Sequence, residues 1–242
     1  MKNLLFIIII VLITKVDFAQ NKAYFDSPFG FGGGFLPSVF VPNMKPINEK
    51  ISVFGTPKLS SAFFATGGAG YAYIGYVPGL RIGGIGIGGS TGGSTLVDGF
   101  SREVIYSSGF GGLTVEYTIP DIKVFPVSIG LILGAGSTNI SISRHRGDFD
   151  WSGIWNSASN TSALAESYTR NLYNNYYLVA PTINIDIAVH RLVALRVGAG
   201  YSLPVGSSWK MDDNIELKDV PAEANGGGLF ITTGIFLGFF SY

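Results

Sequence analysis

The chain has 242 residues, enough for one domain of ordinary size, with 16 basic residues balanced by 16 acidic ones and no cysteine. That balance excludes a global electrostatic hold on nucleic acid, and the missing thiols exclude disulfides and cysteine-ligated metal. Charged residues make up only 13%, against about 25% in soluble domains, while 47% are hydrophobic and 34 residues are glycine.

Residues 1–19 have the features of a secretory signal peptide. Lys2 supplies a positive start, Leu4 to Leu12 is an unbroken apolar run, and Asp17-Phe18-Ala19 ends in a small residue before Gln20. The run is shorter than the roughly 20 apolar residues of a spanning helix, so cleavage is expected rather than an uncleaved anchor. Loss of the leader removes Lys2, Lys15 and Asp17 and leaves 14 basic and 15 acidic residues. Residues 20–242 then form one domain, with no further segment apolar enough for a membrane helix.

The pattern predicts eight strands, at about 28–42, 61–76, 79–90, 102–118, 123–142, 175–188, 192–205 and 227–242. Tight turns join the second to the third at Val77-Pro78-Gly79, the fourth to the fifth around Pro120-Asp121-Ile122, and the sixth to the seventh around Val189-His190-Arg191. The other connections, 43–60, 91–101, 143–174 and 206–226, read as long loops. Short turns at one end and long loops at the other are the habit of outer-membrane barrels.

Within the strands, faces alternate at period two. Leu113, Val115, Tyr117 and Ile119 oppose Gly112, Thr114, Glu116 and Thr118. Val127, Ile129, Leu131 and Leu133 oppose Ser128, Gly130 and Gly134. Ile183, Ile185 and Ile187 oppose Thr182, Asn184 and Asp186, and Val193, Leu195 and Val197 oppose Arg196, Gly198 and Gly200. The apolar set is assigned to lipid and the small or polar set to a lumen. Gly30, Gly32, Gly34, Gly84, Gly86, Gly88, Gly198 and Gly200 are placed inside, with a bulge expected at Gly83-Gly84.

Four charges fall on the lumen side: Arg81, Glu116, Asp186 and Arg196. Charges out of water must be paired, so a network is expected, with Asn184 and Thr114 as further partners. It would serve as a structural plug, or line a narrow pore or small-ligand cavity. Tyr71, Tyr73, Tyr76 and Asn174-Asn175-Tyr176-Tyr177 read as membrane-interface girdles.

The 143–174 loop carries Arg144-His145-Arg146-Gly147-Asp148-Phe149-Asp150-Trp151. His145 with Asp148 and Asp150 is a rim candidate for acid–base chemistry, although no nucleophile accompanies it and no catalytic residue is assigned. Arg146-Gly147-Asp148 also spells an adhesion tripeptide, and the plain reading is a solvated loop. The Gly83–Gly89 stretch lacks the lysine of a phosphate-binding loop. Asp212, Asp213 and Glu216 fit no calcium-ligand spacing. No metal or other cofactor is expected.

The chain ends Phe236-Leu237-Gly238-Phe239-Phe240-Ser241-Tyr242. Phe240 and Tyr242 resemble the terminal aromatic signal read by the barrel-assembly machinery, with Gly238 one place off the usual glycine position. The mature chain resembles the small eight-stranded outer-membrane barrels of the OmpA and OmpX kind. The resemblance implies an outer-membrane location, with outer-membrane lipids, periplasmic chaperones and the assembly machinery as partners. It implies no activity.

The expected fold is therefore all-β: a single antiparallel up-and-down transmembrane barrel of about eight strands. The expected function is non-enzymatic, either structural and adhesive or passive permeation of small solutes. One alternative is an outer-membrane hydrolase or lipid-modifying enzyme acting at the external rim. Another is a true channel, whose current should change when the Arg196–Asp186 pair is broken. A third is a secreted lipocalin-like barrel with the Ile183, Ile185 and Ile187 face turned inward.

Overall fold

The computed structural model describes residues 30–119, 126–146, 167–212 and 214–240. The expected signal peptide, the turn at 120–122, Asp148, Asp150 and Tyr242 lie outside them. In chain order the elements are β1 (Gly30–Phe35), β2 (Ser38–Pro42), α1 (Lys45–Phe54), β3 (Phe63–Tyr73), β4 (Leu80–Val97), β5 (Phe100–Thr118), β6 (Val127–Arg146), β7 (Tyr168–His190), β8 (Val193–Met211), β9 (Ile215–Glu216) and β10 (Gly228–Phe240).

β1 and β2 are one strand interrupted at Leu36-Pro37, since both halves pair with β10 on one side and β3 on the other. Pro37 has no N–H to give. Its carbonyl still accepts from the Thr233 N–H at 2.9 Å and the Thr233 hydroxyl at 3.1 Å, so the ladder holds across the break. With β1 and β2 counted once, eight antiparallel strands follow chain order around a ring, and β10 closes it against β1, β2 and β8. The fold is the expected up-and-down barrel, and closure removes the free strand edges.

The strands run further toward the long-loop end than expected. Residues 91–101 are not a long loop: β4 and β5 pair without interruption from Leu80↔Tyr117 to Val97↔Phe100. The turn is two residues, Asp98 (φ 52°) and Gly99 (φ 76°). Positive φ at both positions matches the twist of a hairpin, and an Asp-Gly pair adopts it at little cost. The extra lengths of β6, β7 and β8 likewise occupy parts of the expected loops 143–174 and 206–226. Residues 43–60 contain a helix, with Pro46 in its first turn and Gly55 (φ 83°) capping its end through an N–H bond to the Ile51 carbonyl.

The expected bulge at Gly83-Gly84 is absent, because pairing there is continuous with both neighbours. The register shifts instead between β7 and β8, where Asn175 faces Ser208 but Tyr177 faces Val205. One extra residue is absorbed on β8 beside Gly206, which takes a left-handed φ of 72°. The pleat changes phase there, so Val205 points outward and Trp209 inward.

Near the short-turn end, the outward faces are apolar. Ile129, Leu131 and Leu133 on β6 and Leu113, Val115 and Tyr117 on β5 are exposed, while Ser128, Thr114 and Glu116 are buried. Ile183, which the lipocalin alternative turns inward, is 50% exposed, and that alternative fails on this face. Gly84, Gly86 and Gly88 share the outward parity of Ile82, while Arg81 and Ile87 take the inward one, which reverses the expected placement of these glycines.

Toward the other end the same faces exchange character. Outward positions become mostly polar, as at Ser137 and Asn139 on β6 and Ser101 and Glu103 on β5, with Ile105 and Leu96 as apolar exceptions. Inward positions become Ile140 and Ile142 on β6 and Val104 and Tyr106 on β5. Helix α1 brings Ile47, Ile51 and Phe54 against this inward set, with Met44 just before it.

Candidate functional site

The four charged residues singled out from the sequence meet inside the barrel. Cross-strand register sets Arg81 on β4 opposite Glu116 on β5, and Asp186 on β7 opposite Arg196 on β8. All four side chains point inward at one level and close a ring. Arg81 lies 2.7 Å from Asp186 and 2.9 Å from Glu116. Arg196 lies 2.7 Å from Asp186 through its Nε and 3.0 Å from Glu116. Arg196 also donates a second bond to Asp186 at 3.1 Å, so that pair is bidentate. Arg81 and Asp186 are each 1% exposed.

Charges this far from water are tolerable only when paired and hydrogen-bonded. The ring pairs two cations with two anions, while Arg81 Nε and Glu116 Oε2 are left without a hydrogen bond among the described residues. Asn184, an expected partner, donates to Glu116 at 3.3 Å. Ser128 on β6 accepts from Arg81 and stands 3.3 Å from the Thr118 hydroxyl, a partner that sequence reasoning missed. Its signal was its parity, since Ser128 shares the lumen face of β6 with Gly130. Thr114 lines a small void above the ring instead.

Tyr71, Tyr73 and Tyr176 do not form a girdle at the membrane interface; all three are buried inside. Tyr73 pairs in register with Arg81. The Tyr71 ring has the guanidinium carbons of Arg81 and Arg196 each 4.8 Å from its centroid, and Phe236 lies 4.8 Å from Arg196. The electron-rich ring faces add attraction where water is excluded. Tyr76 and Tyr177 are exposed, as a girdle requires.

Above the ring the void measures only about 20 Å³. A column of aromatic rings then continues along the axis. Phe110 and Phe230 stand 5.1 Å apart, Phe40 and Phe63 5.7 Å, and Phe63 and Tyr106 5.9 Å. Eight strands enclose an interior about wide enough for their own side chains, and here it is filled. Gly200 gives the Phe230 ring its place, since a Cβ there would meet that ring.

The long-loop end is built differently. Asn48 clamps the return from α1, accepting from the Leu59 N–H at 2.8 Å and donating to the Leu59 carbonyl at 3.0 Å. Arg102 on β5 donates to the Phe54 carbonyl at the end of α1 at 2.7 Å. The segment after β8 folds back: Trp209 donates to the Ala224 carbonyl at 2.8 Å, and Asn174 to the Asn225 carbonyl at 3.1 Å. Asp212 fastens its start, accepting from Arg170 at 2.8 Å and from the Asn171 N–H at 3.0 Å. The Asn171 N–H, and after it Arg170, lower the Asp212 pKa from its ordinary value. Between α1 and this segment lies an open cavity of about 470 Å³.

Of the rim candidates, His145 lies near the end of β6 opposite Ser101, and its partners Asp148 and Asp150 are outside the described residues. Among the described residues no cluster of three His, Asp or Glu side chains could hold a metal ion. Phe240 is the last residue of β10, opposite Gly30. Tyr242, the other half of the expected assembly signal, is not among the described residues.

A closed ring of strands with an apolar outer belt and a charged, filled interior is a transmembrane β-barrel of the outer-membrane type. By the turn-and-loop habit of such barrels, the end with the long connections and α1 is the external one, although it also holds the two-residue β4–β5 turn, and the opposite end is periplasmic. Among solved structures, similarity is found at low identity. The chain is 12% identical to a major outer membrane protein of Thermus thermophilus, over 86% of this chain and 99% of that one, with a TM-score of 0.42. It is 12% identical to Ail, the attachment invasion locus protein of Yersinia pestis, solved with a heparin analogue (87% and 97% covered, TM-score 0.40). It is 11% identical to the outer membrane protease OmpT of Escherichia coli (91% and 99% covered, TM-score 0.33). No protein-family model and no curated protein matches the chain.

Proposed function

We propose that this chain is a non-enzymatic outer-membrane barrel whose transmembrane part anchors it and whose external end does its work. The observation that carries the non-conducting part of this reading is the filled lumen. The Arg81–Glu116–Arg196–Asp186 ring, the Tyr71 and Phe236 rings and the Phe110–Phe230 pair occupy the axis one above another. A solute would have to displace buried ion pairs and packed rings to pass, which argues against passive permeation. The external end, by contrast, carries a docked helix and an open cavity. Outer-membrane lipids are its surroundings in this reading, and periplasmic chaperones and the assembly machinery act only in its biogenesis.

Planar-bilayer recording of the refolded protein tests the reading. The expected result is no discrete conductance at moderate voltage, with a heat-modifiable gel shift showing that the barrel is folded. Stable unitary currents from that folded sample would replace it with the channel alternative.

A further inference from the structure

The external cavity is enclosed by Ile51 and Phe54 of α1, Ile140 and Ile142 of β6, Leu172 of β7 and Trp209 of β8. Its volume of about 470 Å³ falls in the range of small-molecule sites, roughly 300–1,000 Å³. Among the described residues, the charged side chains on its wall are Lys50 and Arg170, both cationic. Arg170 is balanced by Asp212 at 2.8 Å, so the exposed ammonium of Lys50 is the positive group that the edge offers to a ligand. An apolar wall with a cation at its mouth complements a molecule with an apolar chain and an anionic head.

The height of the cavity says where such a molecule enters. The outward side chains level with it on β6 are Asn139 and Ser141, beyond the apolar belt that ends near Leu133 and Ala135. The cavity therefore lies above the bilayer, on the aqueous side. On this basis we propose that the external cavity binds a single-chain anionic amphiphile of the fatty-acid class, taken from the external medium, with Lys50 holding the carboxylate and the Ile140–Trp209 wall holding the chain. The proposal rests on the reading that the external end is the working part, and names its ligand.

Trp209 is in the wall, and the other two tryptophans are Trp151 and Trp155. A W151F/W155F protein in lipid nanodiscs leaves Trp209 as sole reporter. Brominated hexadecanoic acid is the probe, and the brominated alcohol of equal length is the uncharged control. The expected result is saturable quenching by the acid, weakened about two- to fivefold by K50A with no change for the alcohol, as for one exposed ion pair. In the same W151F/W155F background L172F, with the gel shift confirming folding, should weaken the saturable quenching of Trp209 by taking up part of the site.

Absence of saturable quenching by the acid overturns the proposal. So does equal binding of acid and alcohol, or quenching from brominated phospholipid in the nanodisc but not from added acid, since the chain would then come from the bilayer. None of these outcomes touches the bilayer recordings, so the ligand and the non-conducting anchor fail separately.

Discussion

The two halves of this barrel obey opposite rules on the same strands. In the periplasmic half of β6, Ile129, Leu131 and Leu133 face out and Ser128 faces in; in the external half, Asn139 faces out and Ile140 faces in. The pleat does not change on this strand, only the residues on it. Lipid makes no demand that apolar groups hide, so the lower interior is free to hold charges, provided that they are paired. Water makes that demand, so the upper interior becomes an ordinary apolar core completed by α1. One closed sheet therefore joins a membrane anchor to a small water-soluble head.

The largest expected effect breaks the lower half from inside. R81M leaves Asp186 and Glu116 short of a buried cation, and removal of one member of a buried pair costs about 3–5 kcal/mol. Urea unfolding from lipid vesicles should show a loss of that size. Replacing Arg81, Glu116, Asp186 and Arg196 together with apolar residues should cost much less, because no charge is then left alone. A quadruple variant as unstable as R81M would mean that the ring does more than neutralise itself.

The next effect compares outside with outside. I183R puts a charge on the lipid-facing surface and should cost roughly 2–4 kcal/mol near the midplane. S141R sits on the same kind of outward position above the belt and should stay within about 0.5 kcal/mol, as for an ordinary surface change. Equal costs in the same vesicle assay would erase the distinction between the halves.

Inside the upper half, I140A should cost about 2–4 kcal/mol by the cavity it leaves, as in a soluble core. The smallest effect concerns Asp212. Its folded-state pKa lies below the unfolded value, so the support that it gives is complete above the unfolded value, about 3.9, and fades as pH falls through the folded one. Protection of residues 214–227 against hydrogen exchange, relative to the intrinsic rate at each pH, should fall only in acid below about pH 4, and in D212N it should already be lowered at neutral pH.

The contrast between halves also explains what is legible in the sequence. The lower half reads well because alternation is strict there, and period two alone puts Arg81, Glu116, Asp186 and Arg196 on the lumen side. That Arg81 meets Asp186, 105 positions away, follows from ring closure, which spacing alone does not encode. Tyrosine suits a membrane interface, and that preference points Tyr71 and Tyr73 to a girdle. Their parity with Arg81 across the β3–β4 ladder points them inward, and parity wins.

The upper half reads poorly because outward serines and glycines look like loop. Two local signals still mark it: Asp98-Gly99 as a hairpin turn, and Pro46 with Gly55 as the bounds of a helix. The phase change at Gly206 that turns Trp209 inward leaves no mark in the periodicity, because any glycine there is compatible with an unbroken strand.

The inversion itself is open to one direct measurement. The natural chain has no cysteine, so single cysteines at positions 129, 131, 133, 135, 137, 139 and 141 of β6 can each carry a nitroxide in lipid vesicles. The account predicts high accessibility to oxygen and low accessibility to a water-soluble nickel reagent from 129 through 133, a crossover at 135–137, and the reverse from 139 onward. Nickel access along the whole series, or oxygen access along the whole series, would contradict it, because the barrel would then meet a single solvent from end to end.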